Sequence, residues 1–185
     1  ARNVAKVGSA LGTVLLLGVL LVASRLNMAP VDAGDKTTLS AADKANAFLE
    51  TLDAKQREKV LLPFDSAKKP SWSNLPVTFV PRNGLPLGEL TKAQREAALA
   101  AIAAVVSKEG YQKIIDIMNA DDQLVKDRVN KMKFGTEHFY IAFFGPPSAT
   151  KPWMLQFGGH HLGINVTVVG KDAVLGAVHH RDRHL

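Results

Sequence analysis

Three histidines in the middle of the chain, His138, His160 and His161, are the groups best suited to hold a metal ion or move a proton near neutral pH. Glu137 precedes His138 and adds a carboxylate. Imidazole and carboxylate together suit a divalent cation that activates water or a small oxidant. Side-chain direction limits the set, because neighbours on a regular strand point to opposite faces. His161 then shares a face with Gln156, Asn165 and Thr167, and His160 falls among Phe157, Leu162 and Ile164. The reading that follows puts His161 in the site with His138 or Glu137 as second donor, and holds His160 by a buried hydrogen bond. The competing reading makes the histidines structural and assigns the domain to binding. Trp72, Tyr140 and Trp153 would then line a groove for a small or carbohydrate-like ligand, with Gln156 and Asn165 as polar contacts.

Further histidines lie near the C-terminus. His180 and His184 are four residues apart, but no cap or apolar stripe builds a helix around them, so residues 176–185 read as a His- and Arg-rich solvated tail. Asn165-Val166-Thr167 fits the glycosylation acceptor pattern but falls within an expected strand.

The elements that position these groups run from helices to strands. Ser40 and Asp43 resemble a helix start, and Phe48, Leu49 and Leu52 recur at helical spacing, which predicts a helix over 41–61. Five of the nine prolines fall between Pro63 and Leu90, with Trp72 and Phe79 among them, which predicts an irregular, packed connection. Thr91 and Gln94 have capping-box spacing and open a helix over 92–107. The helical period resumes at Ser107 through Tyr111, Ile114, Met118, Val125 and Val129, with a break expected near Asn119 to Asp122. From Phe134 the period becomes two, with His138, Tyr140, Ala142 and Phe144 on one face of a strand and Phe139, Ile141 and Phe143 on the other. A two-residue turn at Gly158-Gly159 pairs Phe157 with His160, Leu155 with Leu162 and Trp153 with Ile164. A strand ends near Gly170, and Ala173 to Leu175 begins another. The fold class is α+β, with helices followed by an antiparallel sheet.

The first 33 residues differ from the rest. Arg2 and Lys6 precede an uncharged Leu- and Val-rich stretch from Val7 to Ser24, closed by Arg25. This reads as a signal peptide or a membrane anchor through residues 7–24, with a small-residue cleavage pattern at Val31-Asp32-Ala33. The expected location is therefore outside the cytoplasm, as a periplasmic, extracellular or membrane-anchored domain of residues 34–175.

The chain has 185 residues, no Cys and a formal net charge of +6. Lack of Cys removes disulfide scaffolds, thiolate catalysis and iron–sulfur ligation. Residues 34–175 hold 18 Lys and Arg against 15 Asp and Glu, so much of the positive charge lies outside the domain. Lys126, Arg128, Lys131 and Lys133 gather near a helix end without an aromatic ladder, which argues against nucleic acid. There is no Gly-x-Ser-x-Gly, no phosphate-binding Gly-rich loop, no Gly-x-Gly-x-x-Gly and no His-Glu-x-x-His.

Several of these residues together carry a family resemblance. Trp72, Leu75-Pro76, Arg82, Gly84-Leu85, Gln94-Arg95, Gly110-Tyr111 and Ile117-Met118 belong to it. So, above all, do Phe144-Gly145-Pro146-Pro147, Trp153 and Phe157-Gly158-Gly159-His160-His161-Leu162. Over about residues 40–175 the chain resembles a largely bacterial family catalogued as a domain of unknown function, number 3500. The resemblance implies export, supplies no agreed activity, and implies a domain truncated at its C-terminal end.

Overall fold

Asp53 and Thr91 start two helices by the same device. Each side chain accepts a hydrogen bond from the backbone N–H three residues on, and the glutamine there, Gln56 or Gln94, accepts one from the cap's own N–H. Two otherwise orphaned donors are thereby satisfied at each start. In the computed structural model the described backbone comprises residues 34–73, 75–126, 132–170 and 173–179, and the described side chains comprise 41–73, 75–125 and 132–170. The expected leader of residues 1–33 lies outside them, as do residues 180–185 of the expected 176–185 tail, whose residues 176–179 belong instead to a strand. Among the described residues no helix is long and apolar enough to cross a membrane.

The order is α1 (Gly34–Glu50), α2 (Ala54–Val60), β1 (Leu61–Leu62), β2 (Leu85–Pro86), a 3₁₀ turn (Leu87–Glu89), α3 (Lys92–Ala103), α4 (Lys108–Lys126), a second 3₁₀ turn (Thr136–His138), then β3 (Tyr140–Phe144), β4 (Trp153–Gly159), β5 (Leu162–Val169) and β6 (Ala173–His179). The α+β class follows. One long helix over 41–61 is corrected to α1 and α2, because Asp53 and Gln56 form a cap in the middle of the expected span. Ser40 lies inside α1, since continuing a nucleated helix outweighs the small preference of serine for an end. The Thr91 cap opens α3 as expected, and the helix stops at Ala103 rather than 107. The expected break at Asn119 to Asp122 is absent, and α4 runs through it.

The sheet order is β1-β3-β4-β5-β6, with β2 also paired to β3. β1 runs parallel to β3 and the other pairs are antiparallel. The hairpin turn differs from the expected one. Gly158 and Gly159 belong to β4, Gly159 pairs with Leu162, and the two turn residues are His160 and His161. Leu155 therefore faces Val166 and Trp153 faces Val168, four residues beyond the expected partners. An even shift keeps each strand residue on its expected face. The glycine pair serves packing: a Cβ on Gly159 would sit 2.9 Å from the ring of Phe139. The turn is closed instead by His161, whose φ of 60° is left-handed, a region where His is enriched among non-glycine residues.

One sheet face and the helices form the main core. Ala41, Ala45, Phe48, Leu49 and Leu52 on or after α1 are buried at helical spacing, and the alanines allow close approach to Ala98, Ala101 and Ile102 of α3. Phe143 links the layers, 6.1 Å from both Phe48 and Trp153. The other face carries Ala142, Phe144 and Met154, against which Leu62 and Phe64 pack. The Pro-rich connection over 63–84 crosses this second face as a strap. Gln156, 7% exposed, pins it: Nε2 donates to the Lys69 carbonyl and to Asn165 Oδ1, and Oε1 accepts from Asn83 Nδ2. A buried amide needs such partners, so the strap is held by polar contacts as well as apolar ones.

Candidate functional site

α4 carries Ile114 and Met118 on its buried stripe, and the next position on that stripe is Asp121. An acid on the apolar face of a helix must find partners, because an unpaired buried carboxylate is costly. Asp121 Oδ1 lies 2.5 Å from His160 Nδ1, and Oδ2 accepts from the Gly135 N–H at 2.7 Å. Its neighbour Asp122 accepts from the backbone N–H and the hydroxyl of Thr136. The two aspartates thus clamp the 135–136 loop to α4, and the first also fastens the β4–β5 turn.

His160 is enclosed. Its side chain is 11% exposed and that of Asp121 is 3% exposed. Phe134 stacks on the imidazole at 4.4 Å, and the His161 ring lies 3.8 Å away. An ionised carboxylate only accepts, so opposite Asp121 the ring proton belongs on Nδ1 and the lone pair of the neutral imidazole on Nε2. A fixed tautomer is the arrangement used both by general bases and by metal-ligating histidines.

The expected four-residue metal set is not assembled. His160 and His161 meet because both are turn residues, to which strand alternation does not apply. That corrects the placing of His161 on the face of Gln156, Asn165 and Thr167. Glu137 and His138 stand on the second 3₁₀ turn rather than on a strand, with Glu137 exposed. Among the described residues no three His, Asp or Glu side chains form a group that would hold a metal ion.

The expected ligand groove is filled by the protein itself. Trp72, Tyr140 and Gln156 do meet, with Arg82 and Asn83, around a cleft of about 10 Å³, the room of one water. Trp72 packs over Gly163, where a Cβ would come within 2.6 Å of its ring. Trp153 is wholly buried, with its indole N–H donated to the Ser148 carbonyl at 3.0 Å. Gln156 and Asn165 bond to each other.

Arg82 and Asp121 are the residues whose roles the pattern did not disclose. Arg82 donates to the carbonyls of Val80, Leu75 and Gly159, tying strap to turn. Its burial lowers its pKa, and the nearby Tyr140 partly offsets this. Tyr140 is raised above 10, by burial first and by Glu89 second, against the pull of Arg82. A raised folded-state pKa means that stability is intact below the unfolded value and is lost as pH rises through the folded one. Urea midpoints are expected to fall above about pH 10, and to fall less in Tyr140→Phe. An equal fall in the two proteins would remove Tyr140 as the cause.

A family model described as "Protein of unknown function (DUF3500)" matches residues 35–179. No curated protein matches the chain, and neither does any solved structure.

Proposed function

Because the chain belongs to the DUF3500 family, whose description assigns no activity, we propose from geometry alone that His160, oriented by Asp121, is its reactive group. The Nε2 atom of the imidazole accepts and returns a proton, and the domain works outside the cytoplasm. The 2.5 Å contact of Nδ1 with Asp121 carries this reading, because it commits one ring nitrogen and leaves the other for chemistry. Export is supported by Arg2 and Lys6 ahead of the apolar run from Val7 to Ser24. A second reading, a divalent metal ion at the same turn, is favoured by the second imidazole of His161 at 3.8 Å.

Histidine side-chain ¹⁵N NMR on the full chain, with and without zinc and beside His161→Ala and Asp121→Asn, tests both. The expected result is a His160 ring protonated at Nδ1 with Nε2 as the unprotonated nitrogen, and a weakened tautomer preference in Asp121→Asn, whose amide oxygen still accepts. Zinc shifts at His160 that vanish in His161→Ala would move the assignment to the metal reading. A His160 ring with neither a preferred Nδ1-protonated tautomer nor a response to zinc overturns both.

A further inference from the structure

The strap and α2 enclose an open cleft of about 670 Å³, within the size range of small-molecule sites. Lys55, Lys59, Lys68 and Arg82 line it, with Glu58 as the one carboxylate and Leu62 as the one large apolar residue. Lys59 is partly satisfied by Glu89 at 3.4 Å, both side chains being more than half exposed. Lys55 and Lys68 are exposed, and neither joins an ion pair among the described residues.

Arg82 distinguishes this cleft from a merely solvated basic face. Its guanidinium is held by three backbone carbonyls, and among the described residues no carboxylate pairs with it. Its Nε atom is buried and has no hydrogen-bond partner among the described residues. Arg82 is partly buried, and a cation partly withdrawn from water without a counter-charge is disfavoured to that extent, a cost that an anion placed beside it offsets. The carbonyls fix the charge in position before any ligand arrives, so little side-chain entropy remains to be lost on binding. Burial also lowers the Arg82 pKa, in keeping with a charge that lacks its counterpart.

We propose that this cleft binds a small, soluble, multiply charged anion bearing phosphate or sulfate groups, with Arg82 as the fixed charge and Lys55, Lys59 and Lys68 as the mobile ones. A polar body fits the lining, where Leu62 alone offers apolar contact. Compact ammonium groups on flexible stems suit oxyanions of variable pose, and Arg82 adds a guanidinium already held by backbone carbonyls. The proposal stands independently of the His160 chemistry.

Calorimetric titration of the full chain with inorganic pyrophosphate tests it, at low and at physiological salt. Lys55→Gln/Lys68→Gln removes two charges at exposed positions, and Lys108→Gln/Lys113→Gln removes the same number from exposed positions of α4. The expected result is saturable one-to-one binding, weakened about tenfold or more by the first pair, weakened less than about twofold by the second, and reduced by salt. Equal weakening by both pairs would reduce the effect to net charge and overturn the site. So would the lack of saturation with pyrophosphate at low salt. Binding to phosphatidylglycerol vesicles without binding to pyrophosphate would replace the soluble ligand with a membrane surface and overturn the proposal as stated.

Discussion

Asp121→Ala is expected to lower the unfolding free energy by about 3 kcal/mol or more. The carboxylate is almost fully buried and serves two donors, His160 Nδ1 and the Gly135 N–H. Alanine leaves both without a partner and opens a small void where the carboxylate stood. In a domain of this size the melting temperature should fall by about 6 to 12 °C. Asp121→Asn keeps an acceptor and should lose about half as much. His160→Ala in both backgrounds completes a double-mutant cycle, for which a coupling of about 1 to 2 kcal/mol is expected. A loss below about 1 kcal/mol for Asp121→Ala would mean that water already serves these donors.

Gly84→Ala should be more damaging still, by about 4 kcal/mol or to the point where no cooperative transition remains. Gly84 has φ of +85°, and a Cβ there would lie 1.9 Å from the Ile141 carbonyl oxygen. That oxygen is backbone of β3, at the residue paired with Leu85, and Leu85 is wholly buried. Relief therefore requires separating β2 from the sheet. Gly170→Ala is the control, with φ of +58° and open space around the added carbon. It should cost only the left-handed conformation, about 1 kcal/mol. Comparable losses in the two variants, read by circular dichroism on heating, would show that backbone angle rather than collision sets the effect.

What could be read from the chain tracks the range of the interaction that decides each feature. The Thr91 cap is settled by residues three apart, and its pattern stands plainly in the sequence. Inward and outward faces of β3, β4 and β5 follow from a period of two and survive even a turn placed two residues too early. The turn itself is a different matter. Glycine is the usual turn residue, but here Phe139 claims the space beside Gly159, and that contact is invisible until β3 and β4 are brought together. Asp121 escapes a local reading for a related reason. Asn119 to Asp122 resemble a helix break when judged locally, yet Asp121 continues the spacing of Ile114 and Met118. An acid on a buried stripe is a legible signal, although its partner 39 residues away is not. Arg82 has no local signal beyond its place in a proline-rich segment.

The strap has a kinetic consequence. Its bonds to Gln156 join residues 73 and 87 apart in sequence, so closing them carries a large loop-closure cost and they are expected to form late. The main core between the helical layer and the sheet includes no residue of the 63–84 segment, which packs on the second face through Phe64 and Trp72. On that ground the strap is expected to open as a unit of its own, with a free energy below that of global unfolding, which amide exchange would read. Arg82 travels with it. Whatever binds the cationic cleft therefore also sets how often that segment leaves the sheet, and a ligand held there slows backbone amide exchange across a part of the molecule that the helices do not protect.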